Sequence, residues 1–545
     1  MLARGRHALL AALAIAFALA IGAPLLSVFL SGIGGGGSLA PFFSILESGY
    51  YRDVIAFTFG QAALSVAVTL VVGLPGAYVF ANYSFRGREQ MLALATVPFV
   101  LPSVLVVLGF VIFFGNSGVV NTALMGLFNL ESPPLRILYS WRAIVLAHSF
   151  YNIPLVFRLV SAVWSQLDER MREAAYNVGA SRWDVFRDIE FPLIRQSVLS
   201  CALLTFMYSF TSFAIVLALG GARYTTIEVA IYNLAMFRGA YGLSSALALL
   251  QIAFLAVVVW LYMGVRVHGG AQGVRIKRSF TSLARWQKAG ITAYAGCVGA
   301  FLFGPLASIV GESLRRTVHG ETTYTLAWYK ELFFPDTQGF IGASPPQAIV
   351  NSITFAVLAM AISVGVGLAA AYLLNGPLRG RGVMGVATML PLGISTVTLA
   401  LGYIVIGNRL GVDVSFWAIV LIHAIISVPF SVRTLSSSLA AIDTRLVEAA
   451  QGVGASRLRA FFSIEVPLLK GGLIAAAVFS FAISLGELAA AFMLYGGRYT
   501  TIPIYIYRYI GGYRFGSAAA MGVVLMAVSA VSFYVIDRMG ARMQF

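Results

Sequence analysis

Hydrophobic residues in this chain come in long, nearly unbroken runs separated by short polar stretches. A helix rises about 1.5 Å per residue, so about 20 apolar residues cross a hydrocarbon core of about 30 Å. Twelve runs reach that length, at about 8–31, 54–80, 91–115, 141–165, 196–220, 242–264, 289–311, 349–374, 384–407, 415–438, 470–495 and 516–536. The Gly and Pro residues inside them do not argue against helix, because membrane helices tolerate both. The pattern predicts an all-α integral membrane protein with about twelve transmembrane helices.

The polar stretches repeat. Residues 173–192 read EAAYNVGASRWDVFRDIEFP and residues 448–467 read EAAQGVGASRLRAFFSIEVP, identical at twelve of twenty positions with an offset of 448 − 173 = 275. The offset holds downstream, where Gly221, Arg223 and Tyr224 match Gly496, Arg498 and Tyr499. It holds upstream, where His148, Pro154 and Arg158 match His423, Pro429 and Arg433. At Arg86-Gly87-Arg88 and Arg379-Gly380-Arg381 it becomes 293, so the first half carries about 18 extra residues near 116–140. The chain is a tandem duplication of six spans per half. An even count gives both halves one orientation, related by a pseudo-twofold axis along the membrane normal.

Composition sharpens this picture. Only 11% of the 545 residues are charged and 59% are hydrophobic, against about 25% charged in a soluble protein. The net charge of +16 would suggest nucleic acid in a soluble chain. Here the basic residues sit in loops, so the positive-inside rule applies instead. The segment 265–288 holds Arg266, Arg275, Lys277, Arg278, Arg285 and Lys288 without an acid, and is placed in the cytoplasm. The loops with Arg86 and Arg88 and with Arg379 and Arg381 fall on the same side. The loops 32–53 and 312–348 fall opposite, and both termini are cytoplasmic. The N-terminal apolar run is about 24 residues, too long for a typical signal peptide, and is read as a retained span. Cys201 and Cys297 lie in apolar runs and are read as small core residues with no disulfide framework.

The two repeated loops carry the most information. Each opens with Glu-Ala-Ala, good helix formers, then has Gly179 or Gly454 at a turn. Ser181 and Ser456 stand where they can cap a second short helix, and Pro192 and Pro467 precede the next span. A helix–turn–helix at the membrane surface is expected in each half.

The order Glu-Ala-Ala, Gly, Ile-x-x-Pro (Ile189…Pro192 and Ile464…Pro467) resembles the EAA loop of permease subunits of binding-protein-dependent, type I ABC importers. The resemblance covers permease domains at 54–265 and 349–537. It leaves a first helix with outer loop at 1–53, a basic cytoplasmic linker at 266–288, a seventh helix with outer loop at 289–348 and a tail at 538–545. It implies that Glu173, Ala174, Ala175 and Gly179, and Glu448, Ala449, Ala450 and Gly454, couple the halves to an ATPase. It further implies two copies of an ATP-binding cassette ATPase carrying ATP and Mg, an extracytoplasmic solute-binding protein, and a place in the cell inner membrane among lipid. No cofactor is expected in this chain. None of its four lysines, Lys277, Lys288, Lys330 and Lys470, follows a glycine, so it has no Gly-Lys-Ser/Thr phosphate loop. It is read as a translocation subunit and not an enzyme.

Candidate path residues are few. Glu487 lies in the eleventh run, and its repeat partner is Ser212. An acid inside a span is a functional candidate by default: a site for a cationic solute, or a structural carboxylate hydrogen-bonded across helices. Related permeases for anions also carry an acid after a similar Gly, which favours the structural reading. His148, Asn152 and His423 line the axis or clamp helices, with packing favoured. No carboxylate partner is visible nearby, so no metal site is expected. Arg158 and Arg433 reach toward the interface. The aromatic segments after the fifth and eleventh runs are expected to fold back into the outer leaflet. In the family this region faces the binding protein.

Fused permeases of this kind resemble thiamine and ferric-iron importers. LAHSFYNIPLVFRL (146–159), FTSFAIVLALGG (210–221) and TTIEVAIYN (225–233) resemble the thiamine group more, so thiamine or a related cation ranks first and ferric iron second. The competing class is a secondary transporter with six-plus-six parallel repeats. That class would not need matched Glu-Ala-Ala loops and would usually carry more intramembrane charge.

Overall fold

The computed structural model describes residues 2–33, 38–265, 277–318, 321–334, 344–376 and 381–540. Arg266 and Arg275 of the linker, and Arg379 and Gly380, lie outside these residues. Among them the structure is helical apart from two small two-stranded pairings. Among the described residues ten helices are long and apolar enough to cross a membrane, and up to twelve if two bent pairs each count as one span.

Four expected spans are not single helices, the fifth among them, which stops at Phe210 and restarts as Ala214–Leu219. The third breaks at Leu101 and Pro102 into Arg88–Val100 and Ser103–Phe114. A proline disfavours helical geometry in the residue before it, and Leu101 is extended at φ −68°, ψ 146°. The ninth bends by 96° between Met384–Gly393 and Thr396–Leu410. Pro391 sits in a tight 3-10 turn there, and the Ser395 hydroxyl caps the new helix by accepting from Val397 and Thr398. The eleventh stops at Gly486 and restarts as Ala489–Leu494. Below that break, Arg457–Leu468 meets Lys470–Gly486 at 69°. Apolar composition dictates immersion, but local turn chemistry decides continuity.

The chain forms two compact units. One comprises residues 48–230 and 253–312. Its centre is the Gly49–Asn82 and Trp141–Trp164 helices, and its core includes Ala77, Val156, Val160, Trp164 and Cys201. The Arg285–Leu314 helix belongs to this unit: Tyr294 donates from its hydroxyl to the Val72 carbonyl at 2.6 Å. A methyl added at Gly109 would meet the Pro305 carbonyl oxygen at 2.9 Å. Cys297, on the same helix, is exposed. The expectation of a core position therefore fails for Cys297 and holds for Cys201.

The other unit comprises residues 1–47, 231–252 and 313–545. Its centre is the Pro345–Leu374 and Ser415–Ala440 helices, joined by a buried hydroxyl relay of Ser363, Ser431 and Ser480 at 2.9–3.1 Å. The N-terminal span Leu10–Gly32 packs here. Leu13 joins Ala370, Leu373, Val428 and Val432 in one cluster. Tyr403 donates to the Ala20 carbonyl and Ser27 to the Gly402 carbonyl, both at 2.9 Å. A methyl at Gly402 would lie 2.5 Å from the Pro24 carbonyl oxygen.

Gly109 and Gly402 are related by the repeat offset (402 − 109 = 293), and each receives a proline turn from the first span of the opposite half. The first spans are thus exchanged between halves. The same equivalence appears beyond the fifth and eleventh runs. The Ile227 N–H donates to Thr58 Oγ1 at 3.0 Å and the Ile502 N–H to Ser352 Oγ at 2.7 Å. Each bond fixes the start of a ten-residue helix, Ile227–Met236 or Ile502–Gly511. The second is largely buried, through Ile504, Tyr505, Ile506 and Tyr509, so this fold-back segment is part of the protein core.

Candidate functional site

In both halves the Glu-Ala-Ala segment is a nine-residue helix, Glu169–Asn177 or Thr444–Gly452. Asp168 caps the first by accepting from the Arg170 N–H, and Asp443 caps the second by accepting from Arg445. Each helix ends in the same way. Ala180 N–H reaches the Ala175 carbonyl and Ala455 N–H the Ala450 carbonyl, both at 3.0 Å. Gly179 N–H reaches Tyr176 and Gly454 N–H reaches Gln451, also at 3.0 Å. This pair of bonds is a Schellman stop, which requires a left-handed residue. Gly179 has φ +87° and Gly454 φ +89°, as the sequence led us to expect.

The next turn starts on Ser181 or Ser456. Ser181 forms a full capping box with Asp184, and Ser456 accepts from the Arg459 N–H at 3.2 Å. The expected second short helix is not free-standing in the first half. Arg182–Val185 runs through a π turn at Phe186–Glu190 into Phe191–Phe210. Pro192 follows directly on that π turn, an irregularity in the helical ladder at the residue that has no N–H to donate.

Exposure follows the repeat. Glu173 and Ala174, like Glu448 and Ala449, are exposed, and Ala175 and Ala450 are half-buried. Val178 and Val453, just before the glycines, are 84% and 87% exposed. Trp183 in one loop and Leu458 and Phe462 in the other are also well exposed. Apolar side chains are thus held far into solvent at equivalent places in the two halves. The two valines were not picked out from sequence, although their identity across the repeat was the available signal.

Under each loop lies a buried glutamate, Glu190 or Glu465, related by the same offset of 275. Their partners differ. Glu190 accepts from the Trp164 indole N–H at 3.0 Å and pairs with Arg172 at 3.1 Å, while Arg172 also meets Glu169 at 3.0 Å. The Arg172 Nε hydrogen is not aimed along the contact with Glu190, so this is an ion pair rather than a hydrogen bond. Burial opposes the Arg172 charge, but Tyr176, Glu169 and Glu190 outweigh it and hold the guanidinium above its ordinary value. In the second half, Val447 takes the place of Arg172. Glu465 instead pairs at 2.7 Å with Arg457, which also donates to the Tyr372 hydroxyl. Arg172→Met leaves the Glu190 carboxylate with the Trp164 N–H but without its cation. Breaking a buried pair from one side costs about 3–5 kcal/mol, and partial exposure puts this one at the lower end. We expect a clear fall in melting temperature for Arg172→Met in detergent. The Arg172→Met plus Glu190→Gln double variant should recover part of it.

The path candidates divide. Glu487 ends the Lys470–Gly486 helix, not mid-helix as the apolar run implied. Its carboxylate accepts from the Ala490 N–H at 3.0 and 3.1 Å and from Ala491 at 3.3 Å, closing the break to Ala489–Leu494. His423 Nε2 lies 3.3 Å from Glu487 Oε2, and His423 Nδ1 lies 2.7 Å from Ser484 Oγ. The histidine therefore has a carboxylate partner, contrary to the sequence reading, because the two are 64 residues apart (487 − 423). His148 has only Ser65 Oγ at 3.3 Å on its Nδ1, and its Nε2 has no hydrogen-bond partner among the described residues. Asn152 turns its amide back to the His148 carbonyl at 2.8 Å, and Ser212 sits half-buried in the equivalent break after Phe210. Arg158 and Arg433 are exposed. Among the described residues no three His, Cys, Asp or Glu side chains group as a metal site would require.

A duplicated bundle of membrane-length helices with one exposed, glycine-turned loop per half is the arrangement expected of a permease of the ABC importer class. The chain belongs to the family described as the binding-protein-dependent transport system inner membrane component, whose pattern matches residues 73–265 and 361–545. It is 25% identical over 519 residues to the thiamine transport system permease protein of Escherichia coli, covering 92% of this chain and 91% of that one. It is 25% identical over 539 residues to the thiamine permease of Brucella abortus (97% and 94%). It is also 25% identical over 514 residues to the ferric transport system permease protein of Actinobacillus pleuropneumoniae (93% and 74%).

Proposed function

We propose that the chain forms the two-half pathway of an importer for thiamine or a related cation. On this reading the Glu-Ala-Ala loops lie in the cytoplasm and each seats one copy of an ATPase. Both termini are on the same side. The observation that carries the coupling role is the pair of identically capped, positive-φ glycine turns presenting Val178 and Val453. A solvated connector has no need of that geometry twice. The solute rests on full-length similarity to thiamine permeases and on segments 146–159, 210–221 and 225–233. A ferric solute is the second reading, because the ferric permease is equally identical over a similar length.

The test is uptake in cells that neither make nor import thiamine. Expressed with an ATPase and a binding protein from the same source, the chain should restore growth on low thiamine and accumulate labelled thiamine. Ferric uptake should stay at background. Ferric accumulation without thiamine would reverse the ranking.

A further inference from the structure

We propose that the unit of residues 48–230 and 253–312 holds an anionic phospholipid of the inner leaflet, with an acyl chain in a cavity under the Arg285–Leu314 helix and its phosphate in a collar of arginine and lysine. The cavity has a volume of about 390 Å³, within the range of small-ligand sites, about 300–1,000 Å³. No charged side chain lines it, and its walls include Val79, Phe80, Phe85, Leu94, Phe280 and Val298. It lies among membrane-spanning helices, so the medium available to fill it is hydrocarbon rather than water.

Charge gathers at one end. Phe85 and Phe280 meet there at 6.2 Å between ring centres. Tyr83-Ser84 pairs as a short parallel strand with Arg278-Ser279, which brings the loop after the second span beside the linker. Arg86, Arg88, Lys277 and Arg278 fall within three residues of one ring or the other along the chain, and Lys288 reaches back to the residue after Phe280. Some of that charge is already used. Arg88 pairs with Glu89 and donates to the Phe80 carbonyl, and Lys288 donates to the Thr281 carbonyl. Arg86 and Arg278 are exposed. Lys277 is held below the ordinary lysine value by burial and then by the Arg88 charge, with Glu89 opposing. Like charges crowded this way gain from an anion. Trp286, 75% exposed at the start of the same helix, marks the headgroup level, where tryptophan concentrates. Basic pockets between membrane helices on the positive-inside side favour anionic headgroups.

The experiment is native mass spectrometry of the detergent-purified full chain, titrated with phosphatidylglycerol or with phosphatidylcholine of the same acyl composition. The wild type should bind phosphatidylglycerol at least about tenfold more tightly. Lys277→Gln plus Arg278→Gln alters only exposed or half-exposed positions and should leave the fold intact. It should lose roughly ten- to thirtyfold in phosphatidylglycerol affinity, the scale of two juxtamembrane cations. Gly299→Leu fills the cavity, because nothing lies within 4 Å of an added methyl there, and should lose both lipids. Equal binding of the two lipids by the wild type would overturn the proposal. So would Gly299→Leu or the charge variant binding phosphatidylglycerol as the wild type does.

Discussion

Replacing Gly179 and Gly454 together by valine should abolish uptake, leaving inserted protein whose ATPase partner no longer responds to loaded binding protein. The cause is backbone, not crowding. Nothing lies within 4 Å of a methyl added at either position, but φ is +87° and +89°. An L-residue there costs about 1–2 kcal/mol, and a β-branched one is a genuine outlier. The helix would escape the strain by unwinding its last turn. The Ala180–Ala175 and Ala455–Ala450 hydrogen bonds would go, and with them the aim of Val178 and Val453. Asparagine tolerates the left-handed region, so the Gly179→Asn plus Gly454→Asn variant should keep most uptake. Reconstituted vesicles with stimulated ATPase and uptake measured side by side decide it. Normal uptake by the valine pair would refute the docking role.

Glu487→Ala should be nearly as damaging, while Glu487→Gln is mild. The alanine leaves the Ala490 and Ala491 N–H groups facing an empty, buried space. Each stranded polar group costs about 1–3 kcal/mol. The helix restart at Ala489 would loosen, and both melting temperature and uptake should fall. Glutamine keeps a carbonyl oxygen for the two N–H groups at almost the same volume, so uptake should stay within about threefold of wild type, a change of under 1 kcal/mol. If glutamine instead lost uptake as fully as alanine, with melting temperature and stimulated ATPase intact, Glu487 would be a site for the passing cation.

How much of this could be read in the sequence depends on the range of each interaction. The glycine turns, the serine caps and the all-α class were legible because they are set within a few residues. The continuity of spans was not, because an apolar run reports immersion alone. Pro102 and Pro391 were visible in the third and ninth runs, but membrane helices also carry proline without breaking, as Pro75 and Pro154 do here. Glu487 was noticed as an odd charge. Its clasp was hidden because His423 lies on another helix. Glu190 and Glu465 stood in plain view inside the repeat and went unused, since their identity gives no sign that Arg172 serves one and Arg457 the other.

The exchanged first spans impose a timetable on synthesis. Pro24 docks at Gly402, and 402 − 24 = 378 residues separate them. At about 5–20 residues per second, the N-terminal span enters the bilayer roughly 20–75 s before its seat exists. For that interval its Pro24–Ser27 face must rest against lipid or the insertion machinery. The Arg285–Leu314 helix has no such delay, because its seat around Gly109 is already made. The two halves are alike in sequence, but one assembles as it is translated and the other must wait for the chain to be almost finished.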